Sequence, residues 1–160
     1  MPMNELTALL APPDGPSSNV DWLTVEDEWK VRFPEDYVAF VEAYGLATID
    51  EFLTIEVPFG PERAAMAEAS RSATDDFRES HPGESLRMVL WGSTIGGVRF
   101  CWGVDGDRLD GNSVHVWNFD EWTRHERDFS GFVAALLRGE IDEYKIDALV
   151  PPVKVTPELA

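Results

Sequence analysis

Phe33-Pro34-Glu35-Asp36-Tyr37 joins two stretches whose apolar residues recur at helical spacing, and the reading of this junction decides the fold. On its amino-terminal side Trp22, Val25 and Trp29 fall at i, i+3 and i+7, one face of a helix from about Asp21 to Lys30. Asp21 is a favoured N-cap for it. Asp27 points away from the apolar face and Glu28 lies toward its margin. On the carboxy-terminal side Tyr37, Phe40, Val41 and Tyr44 repeat the pattern. Pro34, with its fixed φ, suits the first helical position, and Gly45 is expected to end the helix in the left-handed conformation. Glu35 and Asp36 then stand in the first turn, where carboxylates favour the helix dipole. Glu42 is expected to face solvent.

The same third of the chain concentrates negative charge. Residues 1–62 hold 13 Asp and Glu against Lys30 and Arg32, a net of −11 out of −17 for all 160 residues. Such a charge repels nucleic-acid backbones and anionic membranes, and it speeds encounter with a basic protein. An acidic surface also simply keeps a protein in solution. The lopsided distribution is what favours a binding role.

Composition bounds the rest. A length of 160 residues suits one domain, and 44% apolar residues with 6 Trp, 3 Tyr and 9 Phe supply a core. No apolar run approaches the roughly 20 residues that span a bilayer. Met1-Pro2-Met3-Asn4-Glu5 lacks the basic residues and apolar core of a secretion signal. Cys101 is the single cysteine, which excludes an internal disulfide and suits a reducing cytoplasm.

Working outward, Asn4 to Leu10 reads as a short helix and Ala11 to Asn19 as a linker rich in Pro, Gly and Ser. Ile49 to Val57 reads as one extended segment. Pro61 opens an Ala-rich helix to about Glu79, whose thin stripe of Met66, Ala69, Ala73 and Phe77 places it on the edge of the core. Arg87 to Trp91 is strand-like, and Val98, Phe100, Trp102 and Val104 alternate with period two. Val114 to Trp117 and Trp122 to Glu126 add strands. Phe129, Phe132, Val133, Leu136 and Leu137 form a closing helix stopped by Gly139. After Ala148 the Pro-rich tail shows no clear structural pattern.

Candidate chemistry is sparse. Asp105 to Asn112 fails as a calcium loop, because Leu109 stands at the fifth position, glycine at the seventh and Val116 at the twelfth. Gly92 to Gly97 lacks the Lys-Ser/Thr pair and the following helix of a phosphate loop, so its glycines are assigned to a hairpin with positive φ. His81, His115 and His125 lack metal-type spacing. Cys101, inside an alternating strand, reads better as a packing residue than as a nucleophile. No catalytic residues, metal or cofactor are expected.

Taken in order, Asp21-Trp22-x-x-Val25-Glu26, Phe33-Pro34-Glu35-Asp36-Tyr37-x-x-Phe40 and Tyr44-Gly45 resemble the opening of the SUKH superfamily. That group comprises fungal cell-wall synthesis regulators and bacterial immunity proteins of polymorphic toxin systems. Phe52 to Pro58, Trp91-Gly92-x-Thr94-x-x-Gly97, Trp122 and the helix before Gly139 extend the likeness over about residues 20–140. The resemblance implies an α+β domain with a twisted, largely antiparallel sheet packed against amino-terminal helices and a carboxy-terminal helix. The chain then divides into an arm over 1–19, this domain over 20–148 and a Pro-rich tail over 149–160. It also implies a protein that acts without catalysis, by binding another protein. Immunity members block toxins, often nucleases, by direct association. The alternative is a general interaction or regulatory module of the same fold with no toxin partner. With the charge distribution, these readings make Glu26, Asp27, Glu28, Glu35, Glu42, Asp50 and Glu51 the candidate contacts for a basic partner, in a cytoplasmic setting.

Overall fold

The computed structural model describes residues 20–45, 47–49, 52–119, 121–141 and 155–157. The expected arm helix and linker, the candidates Asp50 and Glu51, and much of the tail lie outside them. Among the described residues the fold is α+β, with helices packed on an antiparallel sheet.

Helix α1 spans Trp22–Trp29, and Asp21 caps it by accepting from the Thr24 amide at 3.4 Å. Lys30 ends it in the left-handed region at φ 57°. Arg87 reaches back from a strand to donate to the terminal carbonyl of Trp29 at 3.0 Å. Helix α2 spans Glu35–Tyr44 and buries Tyr37, Phe40, Val41 and Tyr44, the stripe expected from the spacing. Two end details differ. Pro34 is extended, at ψ 144°, and stands before the helix as its cap. Gly45 has φ 70° with ψ −153°, a mirror-extended conformation that turns the chain straight into a strand.

The segment read as one extended piece is a hairpin of β1 (Ala47–Ile49) and β2 (Leu53–Ile55). A 3-10 turn over Gly60–Glu62 precedes α3 (Arg63–Ser80). Then come β3 (Arg87–Thr94), β4 (Arg99–Asp105), the short β5 (Arg108–Leu109), β6 (Val114–Asn118) and β7 (Glu121–His125). Helix α4 (Phe129–Leu137) follows, and the Pro-rich tail, whose sequence shows no clear pattern, contributes β8 (Val155–Pro157). The strand order is β7-β6-β4-β3-β2-β1-β8, with β5 paired beside β4. A tail strand pairs through main-chain groups, so its apolar pattern need not announce it.

Strand alternation divides the core. Val89 and Trp91 of β3 and Phe100, Trp102 and Val104 of β4 join α1, α2 and α4 on the front face. Phe129 is the hub there, with ring centroids 5.3 Å from Tyr37, 5.5 Å from Phe40 and 4.9 Å from Trp91. The Tyr37 hydroxyl donates to the Glu56 carbonyl. Met88, Leu90 and Cys101 point the other way, against Ala73 and Phe77 of α3.

The Ala-rich helix therefore does more than border the core. Strand β2 covers β3 from Gly92 to Thr94, which leaves the earlier edge of β3 to α3. Ser70 Oγ accepts from the Leu90 amide at 2.9 Å, and Thr74 Oγ1 accepts from the Met88 amide at 2.8 Å. Two side chains thus replace the strand that would otherwise pair there.

The glycine hairpin also differs in detail. The turn follows Thr94, and Gly97 has positive φ at 98° while Gly92 does not. Gly92 follows a register shift after Leu90, and a Cβ there would stand 3.1 Å from the Thr54 carbonyl oxygen. Its role is close approach at a bulge.

Candidate partner-binding surface

The acidic residues of α1 and α2 separate into two groups by what they touch. Glu26 is half-buried, and its Oε2 accepts from the Phe33 amide at 2.7 Å, which locks the link between the helices. Glu42 is also half-buried and accepts from Trp22 Nε1 at 3.0 Å, so it does not face solvent as expected. An indole N–H across the helix pair supplies a donor that helical spacing within α2 could not reveal. Both carboxylates hold the helices together and are poorly placed for a partner.

The others point outward. Glu28 pairs with Arg63 of α3 at 3.3 Å across the surface. Asp27 and Glu35 are exposed and have no ion-pair partner among the described residues. Leu23, one turn before Asp27, is 83% exposed. The outward side of α1 thus carries an apolar side chain beside a free carboxylate.

Glu35 and Asp36 diverge although they are adjacent. Asp36 Oδ2 accepts from both the amide and the hydroxyl of Ser130, at 2.9 and 3.0 Å, and so ties the start of α2 to the start of α4. Asp128 caps α4 by accepting from the Gly131 amide at 2.9 Å. Together Glu35, Asp36 and Asp128 line a notch of about 310 Å³, closed by Pro34, Gly111 and Asn112. Among the described residues no basic side chain lines it. A Cβ at Gly111 would stand 3.0 Å from Pro34 Cγ, so the turn lies directly on the proline. Sequence reasoning missed Asp128. Its signal was present: an Asp immediately before an apolar run of helical period reads as an N-cap.

The candidates for catalysis sit in other surroundings. Cys101 is fully buried in the back core, and burial pushes its thiol far up, which keeps it protonated. His115 and Asp110 line one cleft, while Ser113 is fully buried and its hydroxyl donates to Asp110 Oδ2 at 2.7 Å. No group of three His, Cys, Asp or Glu side chains among the described residues is arranged to hold a metal ion.

What fold and surface define is an α+β protein with an aromatic core and an acidic helical shoulder. Comparison with protein-family models, with curated proteins and with solved structures finds no match to this chain.

Proposed function

We propose that this chain is a SUKH-type immunity protein that binds and neutralises a cognate basic toxin of nuclease type, without catalysis of its own. The observation that carries this reading is the acidic shoulder. Asp27 and Glu35 are exposed on α1 and α2 with no ion-pair partner among the described residues, and Glu35 leads into the notch with Asp36 and Asp128. A basic substrate groove meets complementary potential there, and the exposed Leu23 offers an apolar anchor beside it. Among the described residues no helix is long and apolar enough to cross a membrane. A toxin acting on nucleic acid inside the cell is met in the cytoplasm, which we propose as the site of action.

The test begins with the product of the neighbouring gene, co-expressed with this chain and captured with it. Cells making that product alone should die, and cells making both should grow. In the purified pair, replacing Asp27, Glu28 and Glu35 together by Lys should slow association at low salt by about tenfold or more, with a smaller change in dissociation. Association rates equal to wild type would remove the electrostatic basis of the reading.

A further inference from the structure

A second cleft lies behind the sheet, away from the acidic shoulder, and holds an imidazole that no described protein group hydrogen-bonds. His115 on β6 is 9% exposed and stands beside Arg124 of β7 in the strand register. Its ring meets Phe77 of α3 edge to face, with centroids 5.7 Å apart. Its Nε2 lies over Gly103, where a Cβ would come within 2.9 Å, so the glycine makes room for the ring. Neither ring nitrogen has a hydrogen-bond partner among the described residues, and the ring lines a cleft of about 420 Å³. The side chain as a whole is buried, yet its nitrogens are not among the atoms shut off from solvent, so they open into the cleft and are available to a ligand there.

The surroundings narrow the ligand's chemistry. Asp110, Ser113 and Arg124 are satisfied among themselves, with Arg124 Nη2 3.4 Å from Asp110 and its Nε donating to Ser113 at 3.3 Å. Asp110 and Arg124 form a fixed wall of the cleft, braced by the fully buried Ser113. At the mouth stand Glu84, Asp105 and Arg108, all exposed and none in an ion pair among the described residues. Carboxylates outnumber the guanidinium two to one, and the protein's overall charge of −17 adds to that preference for a cation. Phe77 and Leu86 supply apolar lining. The matching group has an alkyl stem, a positive head and several N–H donors to share between the carboxylates and an imidazole acceptor. A guanidinium offers five such donors in a planar fork, where an ammonium is a point charge.

We propose that this cleft receives an arginine side chain of a partner protein. That the arginine belongs to a partner rests on the toxin-binding reading; the chemistry of the cleft does not.

The experiment is a titration of the full chain with capped arginine (N-acetyl-arginine amide), followed by the NMR signals of the His115 ring. A fragment of this size should bind with a Kd of about a millimolar and shift those signals saturably. Capped citrulline, which has the same shape without charge, should not. The double variant Glu84→Gln/Asp105→Asn should weaken capped arginine at least about fivefold while its other signals stay in place. Inorganic phosphate shifting the His115 signals in place of capped arginine would make this an anion site and overturn the proposal. So would equal responses to arginine and citrulline, or full affinity in the double variant. The two readings fail separately. A toxin held as tightly by the double variant as by wild type sinks the arginine cleft and leaves immunity standing. Capped arginine bound normally, with no toxin captured, does the reverse.

Discussion

On the front of the sheet, rings close the core, with Phe129 wedged among Tyr37, Phe40 and Trp91. Along the edge and back, hydroxyls and small residues do the closing, with Ser70 and Thr74 bonded to β3 amides and Ala73 laid over Cys101 and Leu90. The difference teaches where each kind of information sits. Area burial is non-directional and tolerates little loss, so the front carries stability. Directed hydrogen bonds fix the position of α3 without filling space behind it, and beside them a cleft stays open around His115.

The largest effect should come from the hub. Phe129→Ala removes a fully buried ring that touches both α2 and β3, and should cost about 4 kcal/mol in urea unfolding. A loss under about 2 kcal/mol would mean that the front collapses around the gap and that the contrast between the faces is overstated.

The back breaks differently. Thr74→Val keeps nearly the same volume but strands the Met88 amide without its acceptor, and should cost about 2 kcal/mol. Amide exchange should sharpen this result. Protection should fall first at Met88 and Leu90, where Phe129→Ala would lower it across the sheet. Uniform loss in both variants would show that α3 is not a separate support.

These contrasts also mark what was legible from residues alone. The stripes of α1, α2 and α4 and the alternation of β4 were readable, because burial of apolar side chains imposes a period on the sequence. The packing role of Cys101 followed from its place in that alternation. The work of Ser70 and Thr74 was not readable, since a hydroxyl that caps a strand edge looks like any polar helix residue. Strand β8 was hidden for a related reason, as its pairing with β1 uses backbone groups. In the candidate surface, Asp27 is exposed as its spacing suggested and Glu35 is exposed in the first turn of α2, while Glu26 and Glu42 were claimed by a distant amide and a distant indole. Carboxylates of equal charge in one segment differ by partners that only the tertiary fold supplies.

Asp36 and Glu35 put that last point to a direct test. Asp36→Ala removes the carboxylate that accepts from the Ser130 amide and hydroxyl at the start of α4 and should cost about 1–2 kcal/mol. Glu35→Ala, one residue away and exposed, should fall within about 0.5 kcal/mol of wild type. Equal losses would mean that both act through the dipole of α2, as their first-turn positions alone suggest.

The smallest effect tests the back cleft itself. Burial first, then the nearby Arg124 guanidinium, lowers the pKa of His115 below its usual value, while Asp110 and Glu126 pull the other way. The unfolded chain therefore takes up a proton as pH falls through about 6.5, where the folded chain still refuses one. Stability should decline over that window, and this group's part of the slope should flatten once pH passes below its folded pKa. Above about 6.5 both states are neutral at this ring and it adds no slope. His115→Gln should remove this part of the pH dependence, with His81 and His125 present in both proteins as internal controls. Were the two unfolding curves parallel between pH 5 and 7, the ring would have to be as free to ionise in the folded protein as in the unfolded one. A water-filled, solvent-like back cleft would then replace the apolar-lined one, and the contrast with the front would be sharper still.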